Sequence, residues 1–497
     1  MLTKFLYEQA EARPQHTAIV YGEERIAWAD LLERVERLAS GLRQRGIGPG
    51  ESVGLVLLDE PWFVCAFHAI TALGAVVVPV NPSFKQAELD FCFRSAGVSA
   101  IVSDERAAGV CGRIAASLEG EVPVFTTSVA HGQAHTLDAL LEEGSAERLA
   151  TRAPGEPFVC QFSSGSTGRP KRVPRTHGQC AAEAAMYGSL GLTHEDRIFS
   201  AIPMFHTWGM GACLFGSAVS GATIVILENP QPFLLKRHRA LELIERERAT
   251  IFPGVPFNFR LMADAPQGAD LSSIRLCFSA GTALPRATFE AFGERFGVLV
   301  RQLYGTTETG MIAANLSEDP VASFESVGRP VEGVTVEVVD DQGAPLGPGE
   351  VGEVTVASPA ASEGYAGAQR TDKPAFRDGR FFTGDLGHLD EQGQLHLDGR
   401  RKLLIEVGGL KVDPVEVQDV IRAHPSVSDV IVVGVKGESE GEEIVKAVVV
   451  PSEDCDEGEL LALCRERLAN FKVPRTLEFR DGIPRSPLGK VLRKDLV

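Results

Sequence analysis

The residues best able to do chemistry in this chain stand together at Ser163-Ser164-Gly165-Ser166-Thr167-Gly168-Arg169-Pro170-Lys171. The apolar run Phe158-Val159-Cys160-Gln161-Phe162 before them predicts a buried strand, and His177 to Leu190 after them predicts a helix. A loop of Ser, Thr and Gly between two such elements offers backbone N–H groups and hydroxyls at close range. Lys171 adds a mobile positive charge, so a polyphosphate is the guest that suits it. The spacing is not that of a GxxxxGK[ST] loop, because Arg-Pro-Lys follows Gly168 and no Ser or Thr follows Lys171. A flexible Ser/Gly surface loop is the ordinary alternative for this composition. The preceding strand and the Pro-Lys ending favour phosphate.

Two carboxylates extend that chemistry. Glu308 follows Tyr304-Gly305-Thr306-Thr307, where a single acid among hydroxyls suits the Mg2+ that travels with ATP, one protein oxygen joining phosphates and waters. Asp385, after Phe381-Phe382-Thr383-Gly384, is short and rigidly placed, fit to accept hydrogen bonds from the two hydroxyls of a ribose. Lys490, on a Gly-bearing loop near the C-terminus, is a compact charge on a flexible stem. Such a charge can approach two anionic partners at once.

Read in order, the loop, Tyr304-Gly305-Thr306-Thr307-Glu308, Phe382-Thr383-Gly384-Asp385, Gly399-Arg400-Arg401-Lys402 and Pro484-Arg485-Ser486-Pro487-Leu488-Gly489-Lys490 form a series. The series resembles the adenylate-forming superfamily of acyl- and aryl-CoA ligases, peptide-synthetase adenylation domains and firefly luciferase. It is closest in type to the acyl-CoA synthetases, and the resemblance covers almost the whole chain. It implies ATP-dependent activation of a fatty or aryl acid as an acyl-adenylate. Transfer to a thiol follows, coenzyme A or else the phosphopantetheine of a stand-alone carrier protein. ATP, Mg2+ and coenzyme A are the small molecules implied. By the same resemblance Thr307 contacts the α-phosphate, Tyr304 stacks on adenine, Arg400 assists Asp385 at the ribose, and Gly281-Thr282-Ala283 lines the adenine and acyl pockets. Lys402 becomes the hinge on which a C-terminal domain swings between half-reactions. Gly408-Gly409 would line the thiol tunnel, where small residues let a pantetheine arm pass close to the backbone.

The run Pro203-Met204-Phe205-His206-Thr207-Trp208-Gly209 bears on the acid. Amino-acid activators of the resembling family keep an Asp here to pair with the α-ammonium. This chain has His206 and no acid, so His206 is expected to gate or orient a carboxylate with a neutral tail. Trp208, Met210, Val255, Phe257 and Met311 are candidates for an apolar pocket, with plain core membership as the alternative for each. Arg172 stands where relatives usually have Gly, and the basic stretch through Arg175-Thr176-His177 is seen in some aryl-acid activators. Alkyl and aryl acids both stay open.

A net charge of −18 on 497 residues argues against nucleic acid and anionic membrane surfaces as partners. It also means that ATP is gathered against an unfavourable global field, which raises the value of Lys171, Arg400 and Lys490. The nine cysteines show no CxxC pair and no metal-ligand spacing, and they fit a reducing compartment. No apolar run approaches the roughly 20 residues of a membrane span. The N-terminus meets acid too early for a signal peptide. A cytoplasmic enzyme is expected, its oligomeric state open, a homodimer included.

Helical and strand patterns alternate through most of the chain: a helix from Leu31, strands near Val53 and Ala75, and a helix from Trp62 between them. Such alternation predicts layered α/β architecture with largely parallel sheet. From about Gly333 the pattern turns to antiparallel strands and turns, where the resemblance puts a small barrel. The expected organisation is an α/β N-terminal domain, residues 1–401, with the barrel. A small mobile α+β domain, residues 402–497, carries Lys490.

Overall fold

The computed structural model describes residues 2–127, 135–163, 170–228, 233–266, 268–367, 375–400 (Arg400 by its backbone alone), 404–437, 442–452, 455–484 and 496. Two compact units emerge. The first comprises Met1–Pro82, Phe93–Gln161 and Arg172–Arg400; the second comprises Ser83–Cys92, Phe162–Lys171 and Arg401–Val497.

Two large sheets dominate the first unit. One has nine strands, with Thr17–Tyr21, Thr223–Ile226, Arg197–Ser200, Ile251–Gly254, Leu276–Ser279 and Arg301–Thr306 side by side in that order. All five pairings along this series are parallel. Thr223-Ile224-Val225-Ile226 is buried at every position, as expected for a parallel strand covered on both faces. Antiparallel strands close both margins: Glu24–Ala27 on one side, then Gly310–Ala314 and Arg329–Pro330 on the other. The other sheet has seven strands, ordered His135–Thr136, Val124–Thr126, Val98–Ser103, Ser52–Val56, Val76–Pro79, Pro157–Ser163 and Lys171–Thr176.

Helices cover the sheets because their apolar residues recur at helical spacing. In Trp28–Gln44 the buried set includes Trp28, Leu31, Val35, Leu38 and Leu42, one stripe on a 3.6-residue period. Asp104 caps Glu105–Ala115 by accepting from the Ala107 N–H. The cores are aromatic. Phe67 meets Phe158 edge-on at 5.5 Å, and Phe252, Phe259 and Phe292 cluster in a second core.

Where the resemblance puts the barrel lies a five-stranded antiparallel sheet: Thr335–Val339, Gly352–Ala357, Arg380–Leu389 and Phe376–Arg377, with Leu395–Arg400 paired to Arg380–Leu389.

The second unit is small and α+β. Strands Val427–Lys436, Glu443–Pro451 and Thr476–Phe479 form its sheet, and helices Pro414–Arg422 and Glu457–Arg467 contribute Val417, Ile421, Leu460 and Cys464 to its core. Within this unit Lys472 is buried, with Nζ 2.8 Å from Glu88 and 2.8 Å from Glu416. Its ammonium also lies 4.7 Å over the Phe84 ring. Two carboxylates and an aromatic face compensate the desolvation of this one cation.

One local expectation is corrected. The Ser/Gly loop is followed by the strand Lys171–Thr176, and only then by the helix His177–Ser189. The helix N-terminus is already occupied, because Thr176 and Gln179 form a reciprocal capping box there. Lys171–Thr176 is the last strand of its sheet, the place where Pro174 can be carried without breaking a ladder.

Candidate active site

The Tyr304–Glu308 motif occupies the end of the strand Arg301–Thr306 and the turn into Gly310–Ala314. Gly305 and Gly310 make this crossing possible: a Cβ on Gly305 would lie 2.6 Å from the Gly310 carbonyl oxygen. Gly310, at φ +68°, packs against the carboxylate of Glu183, which a Cβ there would meet at 2.6 Å. Glu183 is paired with Arg175, and both side chains are buried. Burial works against the Arg175 charge, but Glu183 outweighs it and the guanidinium is held more firmly protonated than usual. Arg175 Nη2 also donates to Gln161 Oε1 at 3.1 Å. A buried ion pair thus forms the floor beneath the turn that carries Thr307 and Glu308.

Above that floor the motif residues are engaged. The Tyr304 hydroxyl donates to Asp385 Oδ2 at 2.5 Å. The Asp385 N–H donates to Thr383 Oγ1 at 3.0 Å, and the Thr383 hydroxyl donates in turn to the Val354 carbonyl at 2.9 Å. Asp385 and Arg400 are register partners on adjacent antiparallel strands. Two residues chosen from separate motifs, 81 positions apart, are therefore in direct contact. Glu308 is 7% exposed and its Oε1 accepts from the Tyr365 hydroxyl at 2.8 Å. Thr306 and Thr309 share a hydroxyl–hydroxyl bond of 2.9 Å. Thr307 is half-buried.

A second group of candidate residues starts at the turn bearing His206. The His206 side chain is exposed, and its Nδ1 accepts from the Trp208 N–H at 3.3 Å. Trp208 donates from its indole Nε1 to the Gly254 carbonyl at 3.1 Å and stacks on Tyr187 at 6.4 Å with 26° between the rings. The chain continues as a π-helix over Met210–Phe215. Gly211 is required there, since a Cβ would meet the Tyr187 hydroxyl at 2.4 Å. Val255, half-buried, follows Gly254 and approaches Gly281, which sits at φ +92°. Thr282 is half-buried and Ala283 exposed on the same turn. Phe257 is half-buried beneath the Arg260 guanidinium, 5.5 Å from its ring centre. Met210 and Met311 are wholly buried in the main core.

The second unit holds Ser163 and Lys171, each half-buried, and the Gly408-Gly409 turn. Both glycines have positive φ, +57° and +84°, joining Ile405–Val407 to Leu410–Val412 in a two-residue hairpin. Ser164, Gly165, Ser166, Thr167, Gly168, Lys402 and Lys490 lie outside the described residues, as does the side chain of Arg400.

Two supporting residues had escaped notice in the sequence. Asp59, half-buried, accepts the Met204 N–H at 2.8 Å and so anchors the turn that presents His206. Burial pushes its carboxyl up to about 6. Tyr365, the partner of Glu308, carries no role that sequence reasoning assigned.

Comparison with known proteins decides the family. Residues 6–366 match the model of the AMP-binding enzymes, and residues 416–490 match the model of their C-terminal domain. The chain belongs to the AMP-binding enzyme family. A feruloyl-CoA synthase of Amycolatopsis sp is 32% identical over 98% of this AMP-binding enzyme and 96% of its own length. An indoleacetate–CoA ligase of Aromatoleum aromaticum is 31% identical over 100% and 97%. Among solved structures, an o-succinylbenzoate CoA synthetase of Bacillus subtilis superposes with a TM-score of 0.87 at 27% identity, covering 99% of this chain and 98% of its own. An amide bond synthetase of Marinactinospora thermotolerans gives 0.87 at 29% identity, with the same coverages. This AMP-binding enzyme is an acid–thiol ligase working through an acyl-adenylate. Among the described residues, no helix is long and apolar enough to cross a membrane.

Proposed function

We propose that this enzyme activates an aryl or arylalkanoic acid with ATP and passes the acyl group to coenzyme A. The observation that carries the reading is the immobilised Trp208. Its indole is held at one end by the Gly254 carbonyl, and its face lies on Tyr187. Offset aromatic pairs of this kind are worth about 0.5–1.5 kcal/mol beyond burial, so this buried pair is apolar and stiff, and in this reading it backs the acid pocket as a flat wall. A planar tail packs on such a wall without displacing it. A long alkyl chain would need it to move. The Pro203–Gly209 run contains no carboxylate for an α-ammonium.

Adenylation brings a carboxylate toward a tetra-anion, so positioning and charge neutralisation carry the step. In this reading Tyr304 and Asp385 seat the adenosine, with Arg400 beside the ribose. Thr307 and the 163–171 loop hold phosphate oxygens, His206 orients the incoming carboxylate, and Lys490 bridges it to the α-phosphate. Glu308 is a hard oxygen donor in a buried turn with Oε1 already bonded, which fits Mg2+ held by one protein oxygen plus phosphates. When bound, that ion offsets phosphate charge as pyrophosphate departs. The second unit resumes at Arg401, and in this reading Lys402 beside it is the hinge, with Gly408-Gly409 admitting the pantetheine arm in the second half-reaction. Acidic carrier proteins as acceptors would have to dock on a surface of net charge −18, which favours coenzyme A. Nine free thiols, eight of them buried, suit the cytoplasm.

A pyrophosphate-release screen over benzoic, cinnamic and indole-type acids, fatty acids and amino acids, with and without coenzyme A, tests the reading. Faster release with any amino acid or with long-chain fatty acids than with every aryl acid would overturn it.

A further inference from the structure

The segment 362–366 ties together two parts of the site that are distant in sequence. Its Ala366 N–H donates to the Arg172 carbonyl at 3.0 Å, and the Ser362 hydroxyl donates to the Pro174 carbonyl at 2.8 Å. It is thereby fastened to the strand that descends from the phosphate loop. The same segment grips Glu308 twice. The Ser362 N–H donates to the Glu308 main-chain oxygen at 2.8 Å, and the Tyr365 hydroxyl donates to Glu308 Oε1 at 2.8 Å. Tyr365 is seated in turn by Phe376, whose ring it meets edge-on at 5.4 Å and 79°. Ser362 is 2% exposed, so its bonds are made out of reach of competing water.

We propose that Tyr365 is a positioning residue for the metal. Its hydroxyl commits Glu308 Oε1, so that the carboxylate is held in one rotamer and Oε2 is the oxygen offered to Mg2+. A carboxylate ligand whose second oxygen is bonded loses less freedom on binding, and outer partners of this kind change metal affinity about 10- to 100-fold when removed. The inference rests on Glu308 being the metal ligand.

The test is titration of Mn2+ into the full-length enzyme with a non-hydrolysable ATP analogue, followed by electron paramagnetic resonance. Tyr365→Phe keeps the ring on Phe376 and deletes only the hydroxyl. Mn2+ affinity should fall roughly 10-fold or more, while KM for the acid at saturating metal stays as in the parent. Glu308→Gln is measured alongside. If it weakens Mn2+ and Tyr365→Phe does not, the positioning role is wrong and the ligand assignment stands. If Glu308→Gln leaves Mn2+ affinity unchanged, the ligand assignment falls and the positioning role with it. Should Tyr365→Phe not fold, Phe376→Leu, which loosens only the seat of the ring, must show a smaller loss of the same kind; no loss would overturn the proposal.

Discussion

The Tyr304 hydroxyl and Asp385 Oδ2 are 2.5 Å apart, joining the hairpin of the nine-stranded sheet to the five-stranded antiparallel sheet. The carboxylate read as the ribose partner is therefore aimed by the aromatic residue read as the adenine platform. A hydrogen bond to a charged group is worth about 1.5–3 kcal/mol. Tyr304→Phe should keep the platform, leave Asp385 short of a donor, and weaken AMP roughly tenfold by calorimetry. Unchanged AMP affinity in a folded variant would mean that the bond has no part in binding.

The Arg175–Glu183 pair under Gly310 should be a stability determinant rather than a catalytic one. Removing one partner of a buried pair strands the other, at about 3–5 kcal/mol, whereas replacing both by apolar groups is often close to neutral. Glu183→Gln should lower the urea midpoint strongly, and Arg175→Met with Glu183→Leu should recover most of the loss. A single variant no less stable than the double would contradict this account.

In the proposed reading, Lys490 and Lys402 divide the half-reactions. Lys490→Ala should slow acyl-AMP formation by roughly 100-fold or more, about 2.7 kcal/mol of transition-state stabilisation. Thioester formation from supplied acyl-AMP should be spared. Lys402→Pro, by fixing φ near −65° or so, should do the reverse. Single-turnover kinetics on each step settles the matter: equal slowing of both by Lys490→Ala is incompatible with domain alternation.

Acid should loosen the fold through buried imidazoles. Burial holds His68 down at about 4, well under its ordinary value of 6.5. As pH falls from about 6.5 the unfolded chain takes up this proton first, so stability is lost progressively toward pH 4. His68 accounts for up to about 3 kcal/mol of that loss. Asp59, raised to about 6, acts in the opposite sense below that pH, because the folded state then holds the extra proton. His68→Leu should flatten the decline between pH 6.5 and 4 in thermal melts. An identical pH profile would mean that His68 titrates alike in the folded and unfolded chain.

Much of this was legible from residue order. Buried parallel strands such as Thr223–Ile226 carry an unbroken β-branched run, and helices such as Pro61–Ala72 begin at a proline. Two separate motifs meet where their chemistry is complementary, as Tyr304 and Asp385 show. What stayed hidden has physical causes. Lys171–Thr176 contains two Arg, one Lys and one Pro, a composition that conceals a strand unless it lies at a sheet margin. Thr17–Tyr21 is too short to announce that its parallel neighbour is Thr223–Ile226. The grip of Tyr365 on Glu308 depends on a rotamer set by Phe376, and the Asp59–Met204 bond joins different sheets. Neither leaves a local pattern.

The pairing of Ile19 with Ile224 also sets a timetable for synthesis. Once made, Thr17–Tyr21 waits for a neighbour some 205 residues behind it. At about 5–20 residues per second that is roughly 10–40 s, during which its apolar edge is open to any passing strand. That edge is thus covered only once residue 226 has appeared, and chaperone demand at this strand should persist until then.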